Sequence, residues 1–364
     1  MKISEITQAL ESFAPLAYQE SYDNCGLLVG DTNAELSKVL VTLDVTEEVV
    51  EEALKLGCNL IVAHHPIIFK GLKKIANSNY VERTVVSAIK KDIAIYAIHT
   101  NLDNVVQGVS FRMAQKLGLQ NIKILDPQRN KLSKLTVFVP NENVEVLAKA
   151  LHDAGAGNIG NYQECSFRML GTGTFKPNEF ANPHLGQSGI KEYVNETRIE
   201  FIFPAHNQFQ ILQAMKAAHP YEEVAHFFQP LDNEFNEVGA GAIGEFKEEM
   251  DTKESFQLLK STFQVPMVRH TNLIKQKIKT VAMCGGSGSF LTKKAISCGA
   301  DIFITSDIKY HEFFDAENRI ILADIGHYES EQFTKEILSE IILKKFPNIA
   351  VLLSKVVTNP VQYT

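Results

Sequence analysis

Three apolar runs in this chain end abruptly in polar side chains. Asn59-Leu60-Ile61-Val62-Ala63 stops at His64, His65 and Pro66. Ile93-Ala94-Ile95-Tyr96-Ala97-Ile98 stops at His99, and Thr100, Asn101 and Leu102 lead on to Asp103. Arg319-Ile320-Ile321-Leu322-Ala323-Asp324-Ile325 turns at Gly326 and opens a segment that reads as a helix carrying His327 and Glu331. Each polar group falls where an α/β sheet hands a strand over to a functional loop. Four residues apart on a helix, His327 and Glu331 share one face.

The carboxyl-terminal part repeats this pattern at an offset of 242 residues: Ala53 to His65 lies opposite Ala295 to Asp307. Both stretches predict a helix, a tight turn, a buried strand and a polar strand end. Earlier strands precede both helices, Val39 to Leu43 with Asp44 after it and Thr280 to Met283 with Cys284 after it. Strands alternating with helices of this length imply parallel βαβ units and a mostly parallel sheet. The expected fold class is therefore a discontinuous, two-lobed α/β domain, its halves at residues 1–127 and 247–364.

Residues 128–246 have a different rhythm and read as a separate insertion. Lys134 to Val139, Phe167 to Phe175, Arg198 to Phe203 and Val224 to Leu231 predict strands, and Val144 to His152 and Gln208 to His219 predict helices. That βαββαβ order is the ferredoxin-like pattern. Lys176 to Gly189, with two Pro and two Gly, predicts a long loop between the middle strands, of the length that often binds ligands.

Composition narrows the function classes. A 364-residue chain with 45% hydrophobic residues can bury more than one core. Its net charge of -7 and pI near 5.9 weigh against a nucleic-acid binder, which would normally present a basic face. The five cysteines are scattered and lack any CxxC spacing. Neither a disulfide framework nor a zinc knuckle is indicated, and a reducing, cytoplasmic location is expected. Met1 to Ala14 lacks the basic and apolar segments of a signal peptide, and no apolar run is long enough to span a bilayer.

The chemistry lies in the strand ends. His64, His65, Asp103, His327 and Glu331 together look like the ligand set of a two-metal site, because so many polar groups at buried strand ends are costly without a cation. Imidazole with carboxylate suits zinc, iron or manganese, whereas an all-oxygen set would suit magnesium or calcium. Cys284-Gly285-Gly286-Ser287-Gly288-Ser289 is either an anion-binding nest or a tight strand-to-helix turn, and it lacks the Lys of a phosphate-binding loop. Asp23 and Asn24 before Gly26 fit either a pocket lining or a turn, and His219 fits a helix cap.

Tyr22-Asp23-Asn24-Cys25-Gly26-Leu27, Ala63-His64-His65-Pro66, His99-Thr100-Asn101-Leu102-Asp103, Gly285-Gly286-Ser287-Gly288, Thr305-Ser306-Asp307-Ile308-Lys309-Tyr310-His311 and Gly326-His327-Tyr328-Glu329-Ser330-Glu331 together resemble the NIF-three-like family. Its members are also called GTP cyclohydrolase I type 2 homologues or dinuclear metal centre proteins. The middle segment, with Gly171-Thr172-Gly173-Thr174-Phe175 and His219-Pro220-Tyr221-Glu222-Glu223, resembles the PII- or CutA-like insertion of the longer bacterial members. The resemblance implies a ring-shaped, trimer-based homohexamer with two divalent metal ions per subunit on His64, His65, Asp103, His327 and Glu331, and a metal-dependent hydrolase acting on a small molecule. His99, Asp307 and His311 would then orient ligands or move protons. Two departures stand out: Ser306 replaces a usual Gly, which shifts Asp307 unless residue 306 keeps a negative φ, and Tyr22 replaces a usual Trp. The alternative expectation is a hexameric metal-binding scaffold or ligand sensor without turnover.

Overall fold

The computed structural model describes residues 1–364. The chain forms two compact units, one of residues 1–127 with 236–364 and one of residues 128–235.

The first unit is built on two sheets. In the first, the strand order is Gly26–Val29, Ala94–Ala97, Leu60–Ala63, Val39–Thr42 and Val351–Leu353. Gly26–Val29 is antiparallel to its neighbour and the others run parallel. In the second, Arg269–His270, Ile321–Asp324, Ile302–Ser306 and Lys277–Ser287 repeat the same order and the same directions. Phe235–Asp251 and Gln120–Gln128 extend it. The 242-residue offset thus matches structurally: Leu60 pairs with Val39 and Ala94, and Ile302 with Val281 and Ile321. In each half the helix before the second parallel strand stops at a left-handed glycine, Gly57 at φ 71° and Gly299 at φ 75°, a conformation that costs other residues a Cβ clash.

The edges are exchanged. Gln120–Gln128, late in the first half, joins the second sheet, and Val351–Leu353, near the end of the second, joins the first. Separate cores form on the two sheets, one around Leu40, Val49, Ile61, Val85 and Ile95, the other around Phe263, Val281, Met283, Ile304 and Ile321.

The second unit has strands Leu132–Pro140, Phe167–Phe175, Glu192–Pro204 and His226–Leu231 with helices Val144–Asp153 and Gln208–Ala218. Its all-antiparallel strand order, second, third, first, fourth, is ferredoxin-like. Leu135, Val137, Ile199, Phe201 and Phe203 on the sheet pack with Leu147, Leu151, Ile211 and Met215 on the helices. Two boundaries of this unit differ from the sequence reading by more than two residues. The third strand begins at Glu192 rather than Arg198, since its polar start pairs with Phe167–Phe175 without entering the core. The unit ends at Phe235 rather than 246, because Ala242, Ile243 and Gly244 pair with Met283, Ala282 and Val281 and so belong to the second sheet of the first unit.

Candidate metal centre

The strand ends of the first unit converge. His64 and His65 follow Leu60–Ala63, and their backbone N–H groups donate to Leu43 O at 3.1 and 3.0 Å, which fixes the pair beside the neighbouring strand end. His99 follows Ala94–Ala97, and Asp103 closes the single helical turn Thr100–Asp103. Gly326, at φ 90°, turns the chain from Ile321–Asp324 into the short helix His327–Glu331. A Cβ at Gly326 would lie 2.3 Å from Glu329 Oε2, so this turn requires glycine.

Four imidazoles are fixed through their outer nitrogens. His64 Nδ1 is 2.9 Å from Ile98 O, His65 Nδ1 2.8 Å from Asp44, His99 Nδ1 2.9 Å from Asp23 and His327 Nδ1 2.6 Å from Asp307. In each case Nδ1–H donates to an oxygen, which leaves Nε2 as the available lone pair. Nε2 of His65 and of His327 lie 3.0 and 3.2 Å from Glu331 Oε2 and 3.4 Å from each other. His64 Nε2 lies 3.6 Å from Asp103 Oδ1 and 3.9 Å from Glu331 Oε1. Two groups with metal-binding proximity result, His64 with His65 and His99, and His65 with His327 and Glu331.

His64 Nε2, Asp103 Oδ1 and Glu331 Oε2 are buried without a hydrogen-bond partner. Glu331 Oε2 is within ion-pairing distance of two rings, yet neither contact is aligned as a hydrogen bond. Three orphaned atoms from three distant stretches face one volume, and buried polar atoms of this kind normally have partners. A lone pair and carboxylate oxygens together make a donor set that a divalent cation satisfies.

The charges are strongly coupled. Burial opposes ionisation of Glu331, but His65, His327 and His64 hold its pKa well below the ordinary value. Burial also disfavours charge on His65 and His327, but Glu331 with Asp44 raises His65 to about 10, and Asp307 with Glu331 raises His327 to about 11. Burial pushes Asp103 up to about 7. The ring protons thus stand where a cation would, and metal binding would displace them.

Above the cluster lies a cavity of about 940 Å³. Tyr22, Phe69, Phe290, Tyr328 and Tyr363 give it aromatic walls. Arg269 is its only arginine, bound to Asp324, and no lysine lines it.

The structure brings His64, His65, His99, Asp103, Asp307, His327 and Glu331 together. It does not bring His311: that ring is exposed, lies against Tyr310 and Phe314, and is absent from the cavity wall. The acid/base role expected of it has no geometric support. His99 moves inward instead, into a ring group with His64 and His65. The glycine run does not form a free anion nest, since Gly285 N–H donates to Ser110 Oγ and Gly286 N–H to Ser330 Oγ. Gly286 is needed for space, because a Cβ there would meet Glu331 Oε1 at 2.4 Å. Ser306 keeps a negative φ and the left-handed residue is Asp307, at φ 56°.

Asp44 and the carboxyl-terminal tail have site roles that the sequence did not reveal. Asp44 holds His65 and accepts the Thr358 hydroxyl at 2.5 Å, and Asn359 donates to Glu329 at 3.0 Å. Asp44 had one available signal, its position after a buried strand in the same sheet as His64. The tail had none. Asp23, read as lining or turn, is a buried anchor for His99 and Thr100; burial opposes its charge, but these hydrogen bonds lower its pKa.

Fold and site define an α/β protein with a histidine and carboxylate cluster where two repeated half-sheets meet. The chain belongs to the Duf34/NIF3 (NGG1p interacting factor 3) family, whose model matches residues 1–360. It is 40% identical over 368 residues to a "GTP cyclohydrolase 1 type 2 homolog" of Halalkalibacterium halodurans, covering 99% of each chain. It is 38% identical over 362 residues to the protein of that name from Bacillus subtilis, covering 98% of this chain and 97% of the relative. Among solved structures it is similar to a Bacillus cereus protein related to NIF3, with TM-score 0.88, 40% identity, and coverage of 100% and 99% of the two chains. A Staphylococcus aureus structure matches with TM-score 0.79, 33% identity and the same coverage. No helix is long and apolar enough to cross a membrane.

Proposed function

We propose that this chain is a dinuclear divalent-metal protein and a metal-dependent hydrolase of a small molecule. The observation that carries the reading is the set of four imidazoles tied back at Nδ1, three of them with Nε2 within 4 Å of Glu331. His64, His65, Asp103, His327 and Glu331 would hold the ions, and His99 is a sixth donor within reach of the first two. Zinc, iron and manganese all suit this donor set. Bound there, two such ions supply Lewis acidity and activation of water for hydrolysis.

The protein's own residues have distinct parts in this reading. Asp44, Asp23 and Asp307 fix the rings of His65, His99 and His327, as outer carboxylates do at metal sites. Asp307, half-exposed at the cavity side, accepts the His327 Nδ1–H, and that hydrogen bond holds its carboxyl below the ordinary pKa, so it stays charged and orients the ring. The aromatic walls favour a substrate with a flat or apolar body. The relatives' name mentions GTP, but a lining with one paired arginine and no lysine offers little to a triphosphate. The ring-shaped homohexamer belongs to this proposal, as does the cytoplasmic location, which agrees with five unpaired cysteines.

Metal-reconstituted protein should turn over at least one member of a panel of nucleotides, cyclic amidines and phosphoesters, and Asp103→Ala should abolish that turnover. Sedimentation should give six subunits. A metal-loaded parent inert across the panel, with assembly lost on metal removal, would instead favour the second reading, a metal-dependent scaffold that senses a ligand. A separate cavity of about 640 Å³ within the second unit is the observation that favours it.

A further inference from the structure

The second unit has a cavity of its own, of about 640 Å³. Along Glu192–Pro204, Ile199, Phe201 and Phe203 pack into the core with the helices. Glu196 and Arg198, two residues apart on the alternate face of the strand, line the cavity with Phe138, Phe175, Leu185 and Tyr221.

Glu196 is only 8% exposed. Its Oε1 accepts a hydrogen bond from the Tyr221 hydroxyl at 2.9 Å, and its Oε2 has no protein partner. A Cβ on Gly173 would lie 2.0 Å from Oε2, so glycine keeps this space open for the carboxylate. No cationic side chain pairs with it. Arg198 binds Glu200, and its Nε is buried without a partner. His219 accepts Tyr221 N–H at Nδ1 and donates from Nε2 to Phe138 O, the arrangement of a neutral ring. Glu222 already accepts Asn182 N–H. A buried carboxylate without a cation is costly, and on a cavity wall it points to a ligand that supplies one.

We propose that this cavity binds a small primary amine with a large apolar body, its ammonium on Glu196 Oε2 and an acceptor oxygen on Arg198 Nε. An amino acid with a bulky apolar side chain is the simplest carrier of that pattern. The proposal is independent of the metal centre.

The chain has no tryptophan, so the indole emission of L-tryptophan, titrated with the full-length protein, reports on the ligand alone. Saturable binding is expected for L-tryptophan and not for indole-3-propionate, which lacks the ammonium. Glu196→Gln, similar in shape, should weaken binding roughly tenfold to a hundredfold, the effect of losing a charged hydrogen bond. Gly173→Ala, which displaces the flexible carboxylate, should weaken binding with little change in melting temperature, and it reads the same contact if Glu196→Gln folds poorly. No saturable binding of L-tryptophan, binding unchanged by both variants, or a preference for indole-3-propionate would overturn the proposal.

Discussion

The two half-sheets of the first unit share strand order and direction, yet bring unequal chemistry to their common centre. The first contributes His64, His65, His99 and Asp103 from two adjacent strand ends. At the position equivalent to His64 and His65 the second has Ser306 and Asp307, and its ring and carboxylate come from the helix His327–Glu331. A repeated scaffold therefore fixes where side chains arrive, while the residues at each strand end decide which chemistry arrives there.

The largest effect should come from the most buried carboxylate of the second half, Glu331, which is 2% exposed. Glu331 is within 4 Å of His64, His65 and His327, so Glu331→Gln should remove most of the bound metal, more than any single histidine change. Metal content by mass spectrometry checks this. The orienting carboxylates give the next effect. Asp44→Asn should weaken metal binding by about 10- to 100-fold, the usual cost of losing such a partner. Asp307→Asn should do less, because Asp307 is 49% exposed against 35% for Asp44, so water can replace it. Competition against a chelator separates the two.

Backbone substitutions at the matching helix ends test whether the two halves are equivalent as scaffolds. Gly57→Ala and Gly299→Ala each place a Cβ in a left-handed turn with open space around it. Both should lose about 1 kcal/mol in denaturant unfolding, by nearly equal amounts. Unequal losses would show that the halves differ in more than their site residues.

Stability should depend on pH with opposite signs in the two units. In metal-free protein His65 and His327 are raised in the fold. Their stabilisation is fully present below the unfolded value of about 6.5 and is lost as pH climbs toward 10 and 11. In the second unit burial lowers His219. Its contribution is present above about 6.5 and is lost as pH falls below that value. Hydrogen exchange resolved by unit, across this pH range, reads both signs.

Much of this was legible in the sequence because buried strands announce themselves. Leu60–Ala63 is a short apolar run with a polar stop, and the same pattern 242 residues later, at Ile302–Thr305, predicted a paired scaffold. The strand exchange was not legible, since Gln120–Gln128 and Val351–Leu353 carry no mark of which sheet they will join; long-range pairing decides that. The boundary at Phe235 was missed for the same reason. His99 and His311 looked equivalent as histidines near strand ends. Only tertiary packing places one among ring nitrogens and leaves the other in solvent. Asp44 and Thr358, 314 residues apart, meet through the return of the tail, which no local pattern encodes.

The dinuclear centre is tested most directly by metal stoichiometry: the full-length protein, stripped with chelator and then equilibrated separately with zinc, iron(II) and manganese, followed by desalting and mass spectrometry. About two ions per subunit are expected with at least one of these metals, and loss of both in a His65→Ala, Glu331→Gln double variant that remains folded. A parent that retains none of the three, with unchanged stability in their presence, would contradict the dinuclear centre.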